Sequence, residues 1–83
     1  MFFVYILYST EKDRHYIGQT EDIEARIKSH ESGISPFTSI AKDWKLVYFE
    51  KYNNRTDAIK RETAIKKKKS RKYIEWLISN KGD

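Results

Sequence analysis

The chain opens with an uninterrupted apolar run, and a second apolar stretch follows after a polar break. Phe2 to Tyr8 are seven consecutive apolar residues. The run is too short for a helix and rich in aromatic and branched side chains, which predicts a strand buried on both faces. A polar segment, 9–14, followed by apolar residues over 15–19, predicts a β-hairpin. Tyr5 is expected to face Tyr16 across this hairpin, so that both hydroxyls lie on one side of the sheet.

Helical and strand-like patterns alternate through the rest of the chain. Thr20 is expected to cap a first helix over about 21–32. Branched and aromatic residues over 45–52 predict a third strand. A second helix is expected over about 57–68, and Ser70 is expected to cap a third. Because 83 residues leave room for only one hydrophobic core, we expect residues 1–83 to form a single domain.

Two groups that can meet a phosphate flank the apolar stripe of the first predicted helix. Ile23, Ile27 and His30 fall within a stripe about 60° wide, with Arg26 at its edge. Arg26 and His30 are spaced i to i+4, so both can reach one phosphate, the guanidinium bridging two oxygens and the imidazole sharing a proton. The alternative, a pair of ordinary surface groups, stays open.

The second predicted helix carries an acid where apolar residues are expected. Glu62 lies within about 60° of Ala58 and Ile65 on that helix. A carboxylate in an apolar stripe is costly to bury unless it is paired or bound to a cation. It is therefore a candidate ligand for Mg²⁺, which keeps several waters and needs only one or two carboxylates. A carboxylate that turns to solvent or pairs with a lysine is the alternative.

The charge is unevenly distributed along the chain. The net charge is +5, but residues 1–50 carry −2 and residues 51–83 carry +7. A basic segment of this kind indicates a polyanionic partner, most commonly nucleic acid, although a solvated helix end would also account for it. The candidate nucleic-acid-binding residues are Lys60, Arg61, Lys66, Lys67, Lys69, Arg71 and Lys72.

Several classes of protein and site are excluded or disfavoured. The absence of cysteine rules out disulfides and thiolate zinc sites. The longest apolar run is too short to span a membrane and lacks the features of a secretory signal, so we expect a cytoplasmic protein with no membrane partner. With three glycines and no phosphate-binding loop, a nucleotide cofactor is not expected.

The order of these segments resembles the GIY-YIG endonuclease superfamily, most closely its short stand-alone bacterial members, which are grouped with the UvrC-like nuclease modules. Phe3-Val-Tyr5 corresponds to the first tripeptide, and Tyr16-Ile-Gly18 matches the second with ten residues between them. The first helix, the third strand and the second helix follow in the expected order. The similarity covers about residues 2–78.

The resemblance implies an α+β fold, a three-stranded antiparallel sheet flanked by three helices, and a nuclease site with one Mg²⁺ or Mn²⁺ ion. Tyr5 would act as the base that activates a water, or would orient that base. Tyr16 would position the water or the phosphate, and Arg26 would stabilise the charge of the pentacovalent state. His30 would share a proton, and Glu62 would bind the metal.

The prediction from the sequence is thus a metal-dependent DNA endonuclease. A repair or recombination intermediate is a reasonable substrate, although the sequence names none. Asn80 is a candidate for the late asparagine that often supports such sites, and no separate DNA-binding domain is expected. One alternative is a nucleic-acid-binding module that cleaves slowly or never. Another is a protein-interaction adaptor that uses exposed aromatics such as Tyr52 or Trp76.

Overall fold

The computed structural model describes residues 1–31 and 43–80, including all side chains in these ranges except those of residues 27 and 29–31. Its elements, in chain order, are β1 (Phe2–Ser9), β2 (Arg14–Thr20), α1 (Ile23–Glu31), β3 (Lys45–Tyr52), α2 (Arg55–Lys68) and α3 (Arg71–Ser79). The predicted α+β architecture, a three-stranded antiparallel sheet with three helices, is confirmed. No helix in the described ranges is long and apolar enough to cross a membrane.

The most apolar strand, β1, lies at the centre of the sheet. The strand order is β2-β1-β3, and both neighbours run antiparallel to β1. Tyr5 lies opposite Gly18, and Tyr16 lies opposite Leu7. The expectation that Tyr5 faces Tyr16 directly is therefore wrong by two residues. Because side chains alternate with a period of two, the two tyrosines still lie on one face of the sheet as a diagonal pair.

The two faces of the sheet pack against different helices. On one face, Val4 and Ile6 form a buried cluster with Ala58 and Ile65 of α2 and Leu77 of α3. We call this the α2 face. It contains the larger of the two apolar clusters, and alternate residues of β1 point into it.

The other face of the sheet carries the aromatic residues of the hairpin. Tyr5 and Leu7 are buried there with Trp44, and Ile23 of α1 and Leu46 of β3 pack against them. We call this the α1 face. Because α1 and α2 lie against opposite faces, residues on the two helices can act together only across the sheet or around its edge.

Side-chain caps fix where the helices begin. Asp22 Oδ1 accepts a hydrogen bond from the Ala25 amide at 3.1 Å, so Asp22 caps α1. The prediction of Thr20 as this cap is wrong, because the helix begins two residues later than expected and Thr20 Oγ1 accepts from the Asp22 amide instead. Asn54 caps α2, and Ser70 caps α3 as predicted.

Candidate active site

The Tyr5 phenol is buried in the middle of the α1 face. Only 1% of the residue is exposed, and its hydroxyl accepts a hydrogen bond from Arg26 Nε at 3.3 Å. Burial raises the pKa of Tyr5 to about 12, the Arg26 hydrogen bond opposes that rise, and the charge of Glu62 adds to it. Tyr5 is therefore a protonated phenol near neutral pH, with both Arg26 and Glu62 within electrostatic range.

Gly18 makes room for this phenol. It lies directly opposite Tyr5, and a Cβ atom at position 18 would lie 2.6 Å from the Tyr5 hydroxyl oxygen and 2.8 Å from Cζ. It would also lie 3.1 Å from Cε1 of Tyr16. In the sequence Gly18 stands out only as part of a motif, and this packing role was not predicted. The alternation of side chains along the hairpin could have predicted it, because residues 16 and 18 lie on the same face of a strand.

Arg26 joins the two hairpin tyrosines to α1. The Asp22 cap starts the helix, and the Arg26 amide donates to the Asp22 carbonyl at 3.1 Å, which places Arg26 in the first turn. The hydrogen bond to Tyr5 raises the pKa of the Arg26 guanidinium, and Tyr16 adds a second interaction in the same direction. The Tyr5 and Tyr16 ring centroids are 6.2 Å apart. One guanidinium thus interacts with two phenols on the α1 face of the sheet.

Glu62 lies in the other helix layer, and its charge acts on the same phenol. It lies on α2, which packs mainly across β1 and β2, and its side chain is 20% exposed. Lys66, one turn further along, donates to Glu62 Oε2 at 2.7 Å. The lysine pairing that the sequence left open is therefore present. Since the charge of Glu62 acts on the Tyr5 pKa, the carboxylate also lies within electrostatic range of the hairpin.

Comparison with known proteins supplies the family. The family model described as the GIY-YIG catalytic domain matches residues 1–74. The chain belongs to the GIY-YIG family. This confirms the resemblance found in the sequence, and membership supports a nuclease-type function that acts on nucleic acid.

Relatives of similar length share most of the chain. A UPF0213 protein of Clostridium perfringens is 39% identical over 82 residues, which cover 98% of this chain and 86% of that protein. A UPF0213 protein of Listeria welshimeri is 32% identical over 82 residues, covering 98% and 90%. The solution NMR structure of a UPF0213 protein from Bacillus halodurans superposes with a TM-score of 0.61 and 33% identity, covering 99% of this chain and 87% of that one. The match therefore extends beyond the motifs to the whole fold.

The donor set of this GIY-YIG site fits a lightly held divalent cation. Among the described residues, no group of three or more histidines, cysteines and carboxylates could hold a metal ion. Glu62 instead offers a single, partly exposed carboxylate. Mg²⁺ suits such a site because it keeps most of its waters and takes the rest of its ligands from phosphate. An ion here would have to share the Glu62 carboxylate with the Lys66 ammonium or displace that ammonium.

The predicted nucleic-acid-binding residues fall into two groups. Among these predicted residues, all of which the structure describes, four exposed lysines form no ion pair: Lys60, Lys67, Lys69 and Lys72. Arg61 donates to both carboxylate oxygens of Glu50, at 2.9 and 3.1 Å. Lys66 holds Glu62, and Arg71 pairs with Asp13. Arg61 thus has an internal structural partner, and nucleic-acid contact by any of these residues remains a prediction.

The remaining candidates lie apart from the tyrosine pair or outside the described side chains. The His30 side chain is among those outside the description, although its backbone lies in α1. Asn80 is exposed and donates from Nδ2 to the Trp76 carbonyl at 2.8 Å, so it caps the end of α3. Of the two aromatics proposed for an adaptor surface, Trp76 is 57% exposed, whereas Tyr52 is partly buried and donates to Glu50.

Proposed function

We propose that this protein is a divalent-cation-dependent endonuclease that hydrolyses phosphodiester bonds in DNA. The observation that carries the proposal is the hydrogen bond from Arg26 to the buried Tyr5 phenol, on whose pKa the Glu62 charge also acts. These groups come from three elements distant in sequence. A guanidinium, two phenols and a carboxylate are the kinds of group that phosphoryl chemistry uses.

The reaction adds one water across the ester. The water oxygen bonds to phosphorus, the P–O bond to the leaving oxygen breaks, and that oxygen takes up a proton from solvent. Arg26 can bridge two phosphate oxygens as their negative charge grows. Tyr5, protonated near neutral pH, positions the water together with Tyr16. His30 would accept the proton from the water, since imidazole is the side chain that most often acts as a general base.

Glu62 is the proposed metal ligand. Bound Mg²⁺ or Mn²⁺ would neutralise the negative charge of the phosphate oxygens. Lys66 pairs with this carboxylate at 2.7 Å. Because the pair is partly exposed to solvent, it is worth only about 0–1 kcal/mol, which a divalent cation can overcome.

A cleavage assay with supercoiled, single-stranded and branched DNA, and with RNA of matched sequence, tests the proposal. The wild type is expected to nick DNA in Mg²⁺ or Mn²⁺ and to stop in chelator. Glu62→Gln and Tyr5→Phe are each expected to lower the rate by about a hundredfold or more. Preference for the branched substrate would support a repair or recombination role.

Glu11→Gln is the matched control, because it removes a carboxylate whose side chain is exposed in the hairpin turn. It should cleave like the wild type. Nicking that neither Glu62→Gln nor Tyr5→Phe reduces would come from another site or from contamination, and the proposal would be wrong. Cleavage of RNA alone would overturn DNA as the substrate.

The Lys66–Glu62 pair gives specific support to one alternative, a nucleic-acid-binding module without cleavage activity. The Lys66 ammonium, 2.7 Å from Glu62 Oε2, already neutralises the charge of the carboxylate. This alternative predicts salt-sensitive binding that survives Glu62→Ala and no cleavage in any metal. The endonuclease proposal predicts cleavage under the same conditions.

A further inference from the structure

A concave region lies on the α2 face, away from the tyrosine pair. It is a cleft of about 380 Å³ between the beginning of β2 and the junction of α2 with α3. Ile17, Ile65 and Ile74 supply apolar lining. The volume is within the usual range for sites that bind small molecules. Tyr5 points to the opposite face of the sheet, so this cleft is separate from the tyrosine pair.

The polar lining of the cleft carries an excess of positive charge. Arg14 and Lys69 line it and form no ion pair within the described residues. The carboxylate in the lining, Asp13, is already paired with Arg71. Burial, and then the charge of Arg71, lower the pKa of His15, so this imidazole is neutral near pH 7. The cleft therefore offers cations beside an apolar surface.

We propose that this cleft binds a nucleotide of the nucleic-acid strand, with its phosphate on Arg14 and Lys69 and its nucleoside against the three isoleucines. The inference rests on the proposed nucleic-acid function and assigns it a second contact. A bare inorganic anion would leave the apolar lining unused, and an apolar ligand would leave the cations unpaired. A nucleoside phosphate uses both.

Lys66 connects the cleft to the candidate active site. It lines the cleft and also donates to Glu62 at 2.7 Å. β2 lies at the edge of the sheet and contributes residues to both sites. A nucleic-acid strand that contacts both sites would therefore pass around that edge. Binding in the cleft would therefore hold the strand close to the proposed metal ligand.

Lys69 offers a clean substitution for the test. It ends α2 with a left-handed backbone, φ 48°, a conformation that glycine adopts without steric cost. Lys69→Gly therefore removes a cation from the cleft without disfavouring the backbone. Lys67→Ala is the matched control, because it removes an exposed cation of the same helix that does not line the cleft.

The experiment follows isoleucine methyl signals by NMR while a short single-stranded DNA is added to the full chain in chelator. We expect the methyl signals of Ile17, Ile65 and Ile74 to shift together. Lys69→Gly should weaken the affinity by about five- to tenfold, and Lys67→Ala by about twofold or less. A single deoxynucleoside monophosphate should move the same signals more than inorganic phosphate does.

Two results would overturn the inference. One is binding of the strand without any shift of the three isoleucines. The other is an equal loss of affinity in Lys69→Gly and Lys67→Ala, which would indicate diffuse electrostatic attraction. Because binding is measured in chelator, a failure of cleavage leaves this test intact. Cleavage without binding in the cleft would refute the proposed cleft contact and leave the proposed nuclease function standing.

Discussion

At position 18, the absence of a side chain decides where the Tyr5 phenol can lie. An added Cβ would come within 2.6 Å of the hydroxyl oxygen and 2.8 Å of Cζ. Because Tyr5 is buried, its ring cannot move aside freely. Gly18→Ala should lower the free energy of unfolding in urea by about 1–3 kcal/mol and weaken the Arg26 contact. Unchanged stability together with unchanged Tyr5 NMR signals would contradict this packing.

The high pKa of Tyr5 makes stability depend on alkaline pH. Burial raises it from 10.0 to about 12. A folded-state pKa above the unfolded value gives a contribution that is complete below about pH 10 and is lost as the pH rises towards 12. Tyr48 and Tyr52, also raised to about 12 by burial and then by Glu50, act in the same direction.

The free energy of unfolding is therefore expected to fall between about pH 10 and 12, and Tyr5→Phe should make that fall shallower by about 1–3 kcal/mol. Urea unfolding at a series of pH values measures the slope directly. An identical slope in the variant would mean that Tyr5 titrates normally.

Lys69 occupies a backbone conformation that costs energy for any residue with a Cβ. Its φ is 48°, and its amide donates to the Lys66 carbonyl at 3.2 Å to close α2. Lys69→Gly should raise the free energy of unfolding by about 0.5–1 kcal/mol. Lys67→Gly, within the helix, should lower it by about 1 kcal/mol. Equal destabilisation by both in chemical denaturation would refute the left-handed assignment.

At the scale of elements, Glu50 joins β3 to α2. Its carboxylate accepts from the Tyr48 and Tyr52 hydroxyls and from Arg61 at 2.9 and 3.1 Å. Burial raises the pKa of Glu50, but the hydrogen bonds from Arg61 and the two tyrosines outweigh it and leave the pKa below its usual value. The contribution of Glu50 to stability is thus present above the unfolded pKa and lost as the pH falls.

Glu50→Gln should lower the free energy of unfolding by about 2 kcal/mol at pH 7, because it leaves Arg61 without its charged partner. The difference from the wild type should shrink below about pH 4, where the carboxylate protonates. Unfolding curves at pH 7 and at acidic pH measure both. A difference that does not change with pH would show that charge is not the source of the effect.

The sequence predicted some elements better than others, for identifiable reasons. β3 has the expected bounds because its branched and aromatic residues are flanked by polar breaks. The start of α1 was misplaced because Thr20 and Asp22 are both good caps in sequence. The hairpin register was two residues off because alternation fixes the face of a residue but not its partner. The contacts of Glu50 with the two tyrosines were not predicted, although the spacing of Tyr48, Glu50 and Tyr52 places them on one face of the strand.

At the scale of the whole molecule, the residues of the candidate site come from both faces of the sheet. Tyr5 and Arg26 belong to the α1 face, whereas Glu62 comes from the helix on the α2 face. Helical spacing predicted Arg26 at the edge of an apolar stripe and Glu62 within one, but spacing within a helix says nothing about which side of a sheet that helix covers. The family resemblance named these residues, and the fold places α2 against β1 and β2, on the face opposite Arg26.

Paramagnetic broadening by Mn²⁺ tests most directly whether Glu62 holds a cation beside the hairpin tyrosines. In the wild type, the NMR signals of Tyr5, Gly18 and Glu62 should broaden first on titration with Mn²⁺. Glu62→Gln should abolish this selective broadening, and Glu11→Gln should preserve it. Broadening centred elsewhere in the chain, or selective broadening that persists in Glu62→Gln, would contradict the account.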